Sequence, residues 1–81
     1  MKLRILFFAT LSEYVGSKTV EFEVPAETTV GMLKELLVQK YPRMAPAQKS
    51  IMVAVNREYA DNERLIPLEA EIAFFPPVSG G

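Results

Sequence analysis

The chain closes on Phe74-Phe75-Pro76-Pro77-Val78-Ser79-Gly80-Gly81. Two final glycines leave a carboxylate with no side chain near it. A narrow channel can close around Gly80 and Gly81, and glycine accepts backbone angles that other residues resist. A bare carboxylate is a poor electrophile. Joined to AMP by an ATP-using enzyme it becomes a good one, because AMP leaves readily. A sulfur donor would then leave a thiocarboxylate on Gly81, and an amine would leave an isopeptide bond. Pro76 and Pro77 have no N–H, so strand pairing should stop there and the chain should run on extended. From Pro76 to Gly81 the reach is roughly 20 Å, at about 3.3–3.6 Å per residue. That suffices to enter a pocket on a second protein.

Little else in the sequence offers chemistry. There is no His and no Cys among the 81 residues. The usual zinc sets and Cys/His nucleophile pairs cannot be assembled, and no disulfide can form. No glycine-rich phosphate loop is visible. The net charge of −1 argues against nucleic acid, which needs a basic patch, and gives no polybasic membrane signal. No apolar run approaches the roughly 20 residues of a membrane span. The expected compartment is the cytoplasm. The chain is expected to bind no cofactor itself, with ATP and Mg²⁺ used by the enzyme that activates the tail.

A small domain must hold such a tail. Its 49% hydrophobic content can supply a core. Residues 1–75 are expected to form that domain, and residues 76–81 a flexible tail. Lys2–Ala9 reads as a strand with Leu3, Ile5 and Phe7 on one face and Lys2, Arg4, Leu6 and Phe8 on the other. Both faces carry bulk, so the strand should be central. Thr10 followed by Glu13 has capping-box spacing, and Gly16 suits a left-handed stop, so a short helix over Leu11–Val15 competes with an irregular loop. Lys18–Val24 alternates, with Val20, Phe22 and Val24 inward, and should pair antiparallel with the first strand. Pro25 ends it.

Thr28 or Thr29 then caps a helix over Val30–Tyr41. Val30, Leu33, Leu37 and Tyr41 form its apolar stripe beside Leu36, while Lys34, Glu35 and Lys40 should face water. Gly31 is a weak point in it, at about 1 kcal/mol against Ala. Pro42 stops the helix, and Pro46 keeps the next segment a loop. Ile51–Val55 reads as a buried strand, Asn56-Arg57-Glu58 as a turn, Tyr59-Ala60 as a brief edge strand and Glu71–Phe75 as the last strand. One helix crossing between two pairs of strands implies an α+β fold. The matching arrangement is the β-grasp, or ubiquitin-like, fold: a mixed sheet of about five strands with one main helix on one face.

Parity in the last strand matters for the tail. If Ile72 and Phe74 enter the core, Phe75 is left on the open face. It is then either a docking anchor at the base of the tail or a neighbour packed on Leu6 or Phe8.

The residues resemble a known family. Leu6-Phe7-Phe8-Ala9 with Val15-Gly16, Val55-Asn56, and Ala73 through Gly81 look like the small subunit of molybdopterin synthase, the MoaD-type sulfur carrier of the MoaD/ThiS family. The resemblance covers the full length and is most specific in the tail. Leu68-Glu69-Ala70-Glu71 departs from the Asp-Gly-Asp turn often seen before the last strand, which leaves that turn's geometry open. The resemblance implies that an E1-like adenylating enzyme activates Gly81 and a sulfur donor protein converts it to a thiocarboxylate. The tail then enters a large catalytic subunit, in a heterotetramer of two small and two large subunits, to build the molybdopterin dithiolene. It makes Gly81 the sulfur carrier, Gly80 the residue that clears the channel, and Phe75, Pro76, Pro77 and Val78, running on into Ser79, the docking stretch. The chain is then a non-catalytic carrier, with the catalytic residues on the large subunit. Competing readings are a thiamine-pathway sulfur carrier, a ubiquitin-like modifier of lysines, and a plain interaction domain with an incidental Gly-Gly.

Overall fold

Alternating apolar residues do set the strands, and the strands set the sheet. The computed structural model describes residues 1–77. In chain order it contains β1 (Lys2–Phe7), α1 (Thr10–Val15), β2 (Thr19–Glu23), α2 (Val30–Lys40), a 3-10 helix (Pro42–Ala47), β3 (Met52–Val55), β4 (Glu58–Ala60) and β5 (Glu71–Phe75). The sheet runs β2-β1-β5-β3-β4, and only the β1–β5 pair is parallel. The sheet is therefore mixed, with α2 as the crossover between its two antiparallel parts. This is the expected β-grasp. Leu3, Ile5, Phe7, Val53, Val55, Ile72 and Phe74 face α2, whose Val30, Leu33 and Leu37 close the core. Phe7 meets Phe74 edge to face at 5.6 Å between ring centroids. Val78, Ser79, Gly80 and Gly81 lie outside the described residues.

Several local expectations hold through identifiable contacts. The Oγ1 of Thr29 accepts the Met32 N–H at 3.2 Å, so Thr29 is the cap of α2. Thr28 is instead buried and donates its hydroxyl to the Pro25 carbonyl at 2.6 Å. Gly16 adopts φ 86° and donates its N–H to the Ser12 carbonyl, closing α1.

Others are corrected. Thr10 does not cap α1. The cap position falls on Ala9, at φ 51° and ψ −132°, with no side-chain bond, and the Ser12 hydroxyl donates to the Ala9 carbonyl. That conformation of Ala9 also stops β1 at Phe7, short of the expected end. The segment after α2 is a 3-10 helix rather than a loop, because Met44 is drawn fully into the core and Pro42 suits the first helical position. Asn56 and Arg57 both take positive φ, 48° and 72°, which makes a two-residue hairpin turn and leaves Glu58 in β4. Before β5 the left-handed residue is Glu69, at φ 58°, while Ala70 is buried. The left-handed position thus falls on Glu69 and not on Ala70.

Lys34 is the largest departure. Expected in water, it is 9% exposed. It lies one residue from Leu33 and three from Leu37, and α2 crosses the sheet so that this side is covered by the β3 and β4 end. Desolvation there pushes its ammonium below the usual lysine range.

Candidate functional site

The face of the sheet opposite α2 carries the residues nearest the tail. Parity along β1 turns Leu6 outward. Phe8 follows just past the strand end, its N–H held by the Phe74 carbonyl at 3.1 Å. On β5 the same parity turns out Ala73 and Phe75. Antiparallel register then sets Met52 of β3 beside Phe75 and Ala54 beside Ala73, and Tyr59 of β4 beside Ala54.

The three aromatic rings meet. Phe8 stacks on Phe75 at 4.6 Å with 9° between planes, and Tyr59 approaches Phe75 edge-on at 6.0 Å and 61°. Phe75 is half-buried by these neighbours, whereas Phe8 is 43% and Tyr59 68% exposed. Phe75 therefore lies on the open face and packs on Phe8, the second of the two expected arrangements. The small Ala54 and Ala73 leave a depression of about 280 Å³ among the rings, rimmed by Arg57 and Glu71. Beyond Phe8 a second depression, of about 500 Å³, runs over Leu6, Ala9 and Ser12 to Lys18 and Thr19. Phe8 is the ridge between them.

An apolar centre with charged residues at its edge is the make-up of a protein-docking surface. Among the described residues no group of three His, Asp or Glu side chains could hold a metal ion. The aromatic cluster lies at the root of β5. Pro76 is half-buried and Pro77 exposed, both without regular structure. The assigned roles of Val78, Ser79, Gly80 and Gly81 fall outside the described residues. The sequence reading missed Tyr59 and Met52 as members of this face. Phe8 was legible, since it shares parity with Leu6. Tyr59 was not, because its neighbour depends on the β3–β4 and β3–β5 registers.

Residues 5–81 match the ThiS family, a span that includes the last strand and the tail. The chain belongs to that family. It is 37% identical to the molybdopterin synthase sulfur carrier subunit of Caenorhabditis briggsae, over 100% of this chain and 99% of that one. Among solved structures it resembles SAMP1, a small archaeal modifier protein of Haloferax volcanii. The TM-score is 0.85 and the identity 32%, with both chains fully covered. It also shares its fold with a chain of the complex of subunits 1 and 2 of the molybdopterin-converting factor of Helicobacter pylori, with a TM-score of 0.69, 17% identity and full coverage of both chains. The β-grasp of this ThiS-family chain is thus shared by full-length neighbours. No helix among the described residues is long and apolar enough to cross a membrane.

Proposed function

We propose that this chain is the sulfur-carrier subunit of molybdopterin synthase. The observation that carries the reading is the ThiS-family match running through Gly81, on a chain whose relative of matching length is a sulfur carrier subunit. The Gly81 carboxylate attacks the α-phosphorus of ATP on an adenylating partner, with Mg²⁺, and pyrophosphate leaves. A hydrosulfide ion from a sulfur donor protein then attacks the carbonyl carbon. The C–O bond breaks, AMP departs, and a thiocarboxylate remains. The tail delivers this sulfur inside a large subunit, twice per dithiolene, in an assembly of two small and two large subunits. The Phe8, Tyr59 and Phe75 face docks against that subunit, whose side chains supply the acid and base. The Helicobacter pylori protein of this fold is found with a second subunit, which supports a partner of that kind.

The test is intact mass spectrometry after incubation with an adenylating enzyme, ATP, Mg²⁺ and a sulfur donor. One oxygen-for-sulfur exchange at Gly81 is expected, followed by molybdopterin formation once the large subunit and a pyranopterin precursor are added. A chain lacking Gly81 that still supports molybdopterin formation refutes the reading. The likeness to SAMP1 favours a second role, attachment to lysines of other proteins. Branched lysine conjugates ending in Gly81 would reveal it.

A further inference from the structure

The hairpin between β3 and β4 turns on Asn56 and Arg57, both at positive φ, 48° and 72°. Two-residue hairpin turns of this kind favour Asn first and glycine second, because a Cβ at the second position is crowded by the backbone. Asn56 has a local reason for its place. Its N–H donates to the Glu71 carbonyl at 2.9 Å, and its Oδ1 accepts the Glu71 N–H at 3.0 Å, which ties the turn to β5. Arg57 stands where glycine would suit the backbone better, and it borders the depression among Phe8, Tyr59 and Phe75. Strain kept beside a binding face points to a side chain that is used there.

The charges around it say what for. Glu71 borders the same depression. Strand register sets Arg4 of β1 directly beside Glu71, so one carboxylate is shared by two guanidiniums. Arg4 in turn faces Glu21 on β2. Across the foot of the open face the signs alternate, from Glu21 through Arg4 and Glu71 to Arg57. Arg57 is exposed and ends the row next to an acid that it shares. An exposed ion pair holds a guanidinium weakly, so Arg57 is free to turn to a carboxylate that a partner brings. Its planar fork takes a carboxylate through two parallel N–H donors, at the edge of a water-excluding ring cluster.

We propose that Arg57 is a specificity residue of the aromatic face, pairing with an acidic side chain that flanks the apolar segment of the large subunit seated between the rings. The inference rests on the docking reading above and adds the partner's chemistry to it: an apolar centre with a carboxylate at its β3–β4 end. Glycine at position 57 would ease the turn and lose that contact.

Binding of the full chain to the large subunit, followed by surface plasmon resonance at about 50 mM and about 500 mM salt, tests it. Arg57→Gly should raise the urea midpoint of the free chain, because the turn loses its strain. At low salt the same change should weaken binding about fivefold to tenfold, mostly through slower association, and the loss should shrink at high salt. Arg57→Lys should recover part of the binding, and Arg57→Glu should bind more weakly than Arg57→Gly. Phe75→Ala is the control for the face, with a loss that persists at high salt. If Phe75→Ala binds like the parent chain, the docking reading fails and this inference with it. If Phe75→Ala is weakened while Arg57→Gly binds like the parent at low salt, the inference alone is overturned. A loss in Arg57→Gly that is equal at both salts, or that Lys does not recover, overturns it too, as does a lower urea midpoint for Arg57→Gly.

Discussion

Replacing Phe75 with Ala separates docking from folding, because its neighbour Phe74 provides the internal comparison. Phe74 is 0% exposed and packed on Phe7. Removing such a ring costs roughly 3–5 kcal/mol. Phe75 is half-buried on the open face. Half of the roughly 1.5–3 kcal/mol for full burial, plus about 0.5–1.5 kcal/mol for the stack on Phe8, gives about 1–3 kcal/mol. A domain of this length is stable by roughly 4–12 kcal/mol. Phe75→Ala should therefore stay folded, while Phe74→Ala approaches the limit. If Phe75 is the aromatic centre of the docking face, the same change should weaken binding to the large subunit by about 2 kcal/mol, or roughly 30-fold. Urea unfolding followed by circular dichroism measures the first quantity, and calorimetry with the large subunit measures the second. Phe8→Ala and the Phe8→Ala/Phe75→Ala pair should show a coupling of about 0.5–1.5 kcal/mol, since the rings touch at 4.6 Å between centroids. A Phe75→Ala protein as unstable as Phe74→Ala would make Phe75 a core residue. Unchanged binding would remove it from the docking face.

Gly31→Ala should destabilise the domain despite the better helix propensity of Ala. A Cβ there would lie 3.1 Å from Asn62 Cβ and 3.2 Å from the Asn62 carbonyl oxygen, which accepts the Gly31 N–H. Overpacking costs roughly 1–3 kcal/mol against the about 1 kcal/mol gained, and a higher urea midpoint for Gly31→Ala would refute the clamp. Lys34→Met should raise the urea midpoint at neutral pH, because it keeps the buried stem and removes a desolvated charge. The folded state holds this proton less tightly than the unfolded one, so the penalty is complete below the folded pKa. It fades as pH rises from there toward the ordinary lysine value of roughly 10.4. The advantage of Met should shrink over the same window, and a constant advantage would mean that the charge is not its source.

Much of this fold was legible because strand faces are a local property. Side chains alternate with period two, so Leu3, Ile5 and Phe7 could be assigned inward, and Leu6 and Phe8 outward, from β1 alone. The same rule placed Ile72 and Phe74 inside and Phe75 outside. Turn chemistry was less legible. Thr10 and Glu13 have the spacing of a capping box, yet Ala9 occupies the cap in a strained conformation. Glu69 takes a positive φ that its side chain does not favour, since tertiary packing of Ala70 and Ile72 overrides local preference. The apolar Met44 and Pro42 at the first helical position were the signals that Pro42–Ala47 was more than a loop.

The sequence by itself determined the element order, the apolar faces and the absence of any cysteine or histidine chemistry. Each of these follows from residue type or from spacing within one element. Only the tertiary structure decided that Tyr59 and Met52 join Phe8 and Phe75, that Gly31 meets Asn62, and that Lys34 is covered. Those contacts depend on strand register and on where α2 crosses the sheet. Both are set by the packing of the whole core, and no short stretch of the chain contains them.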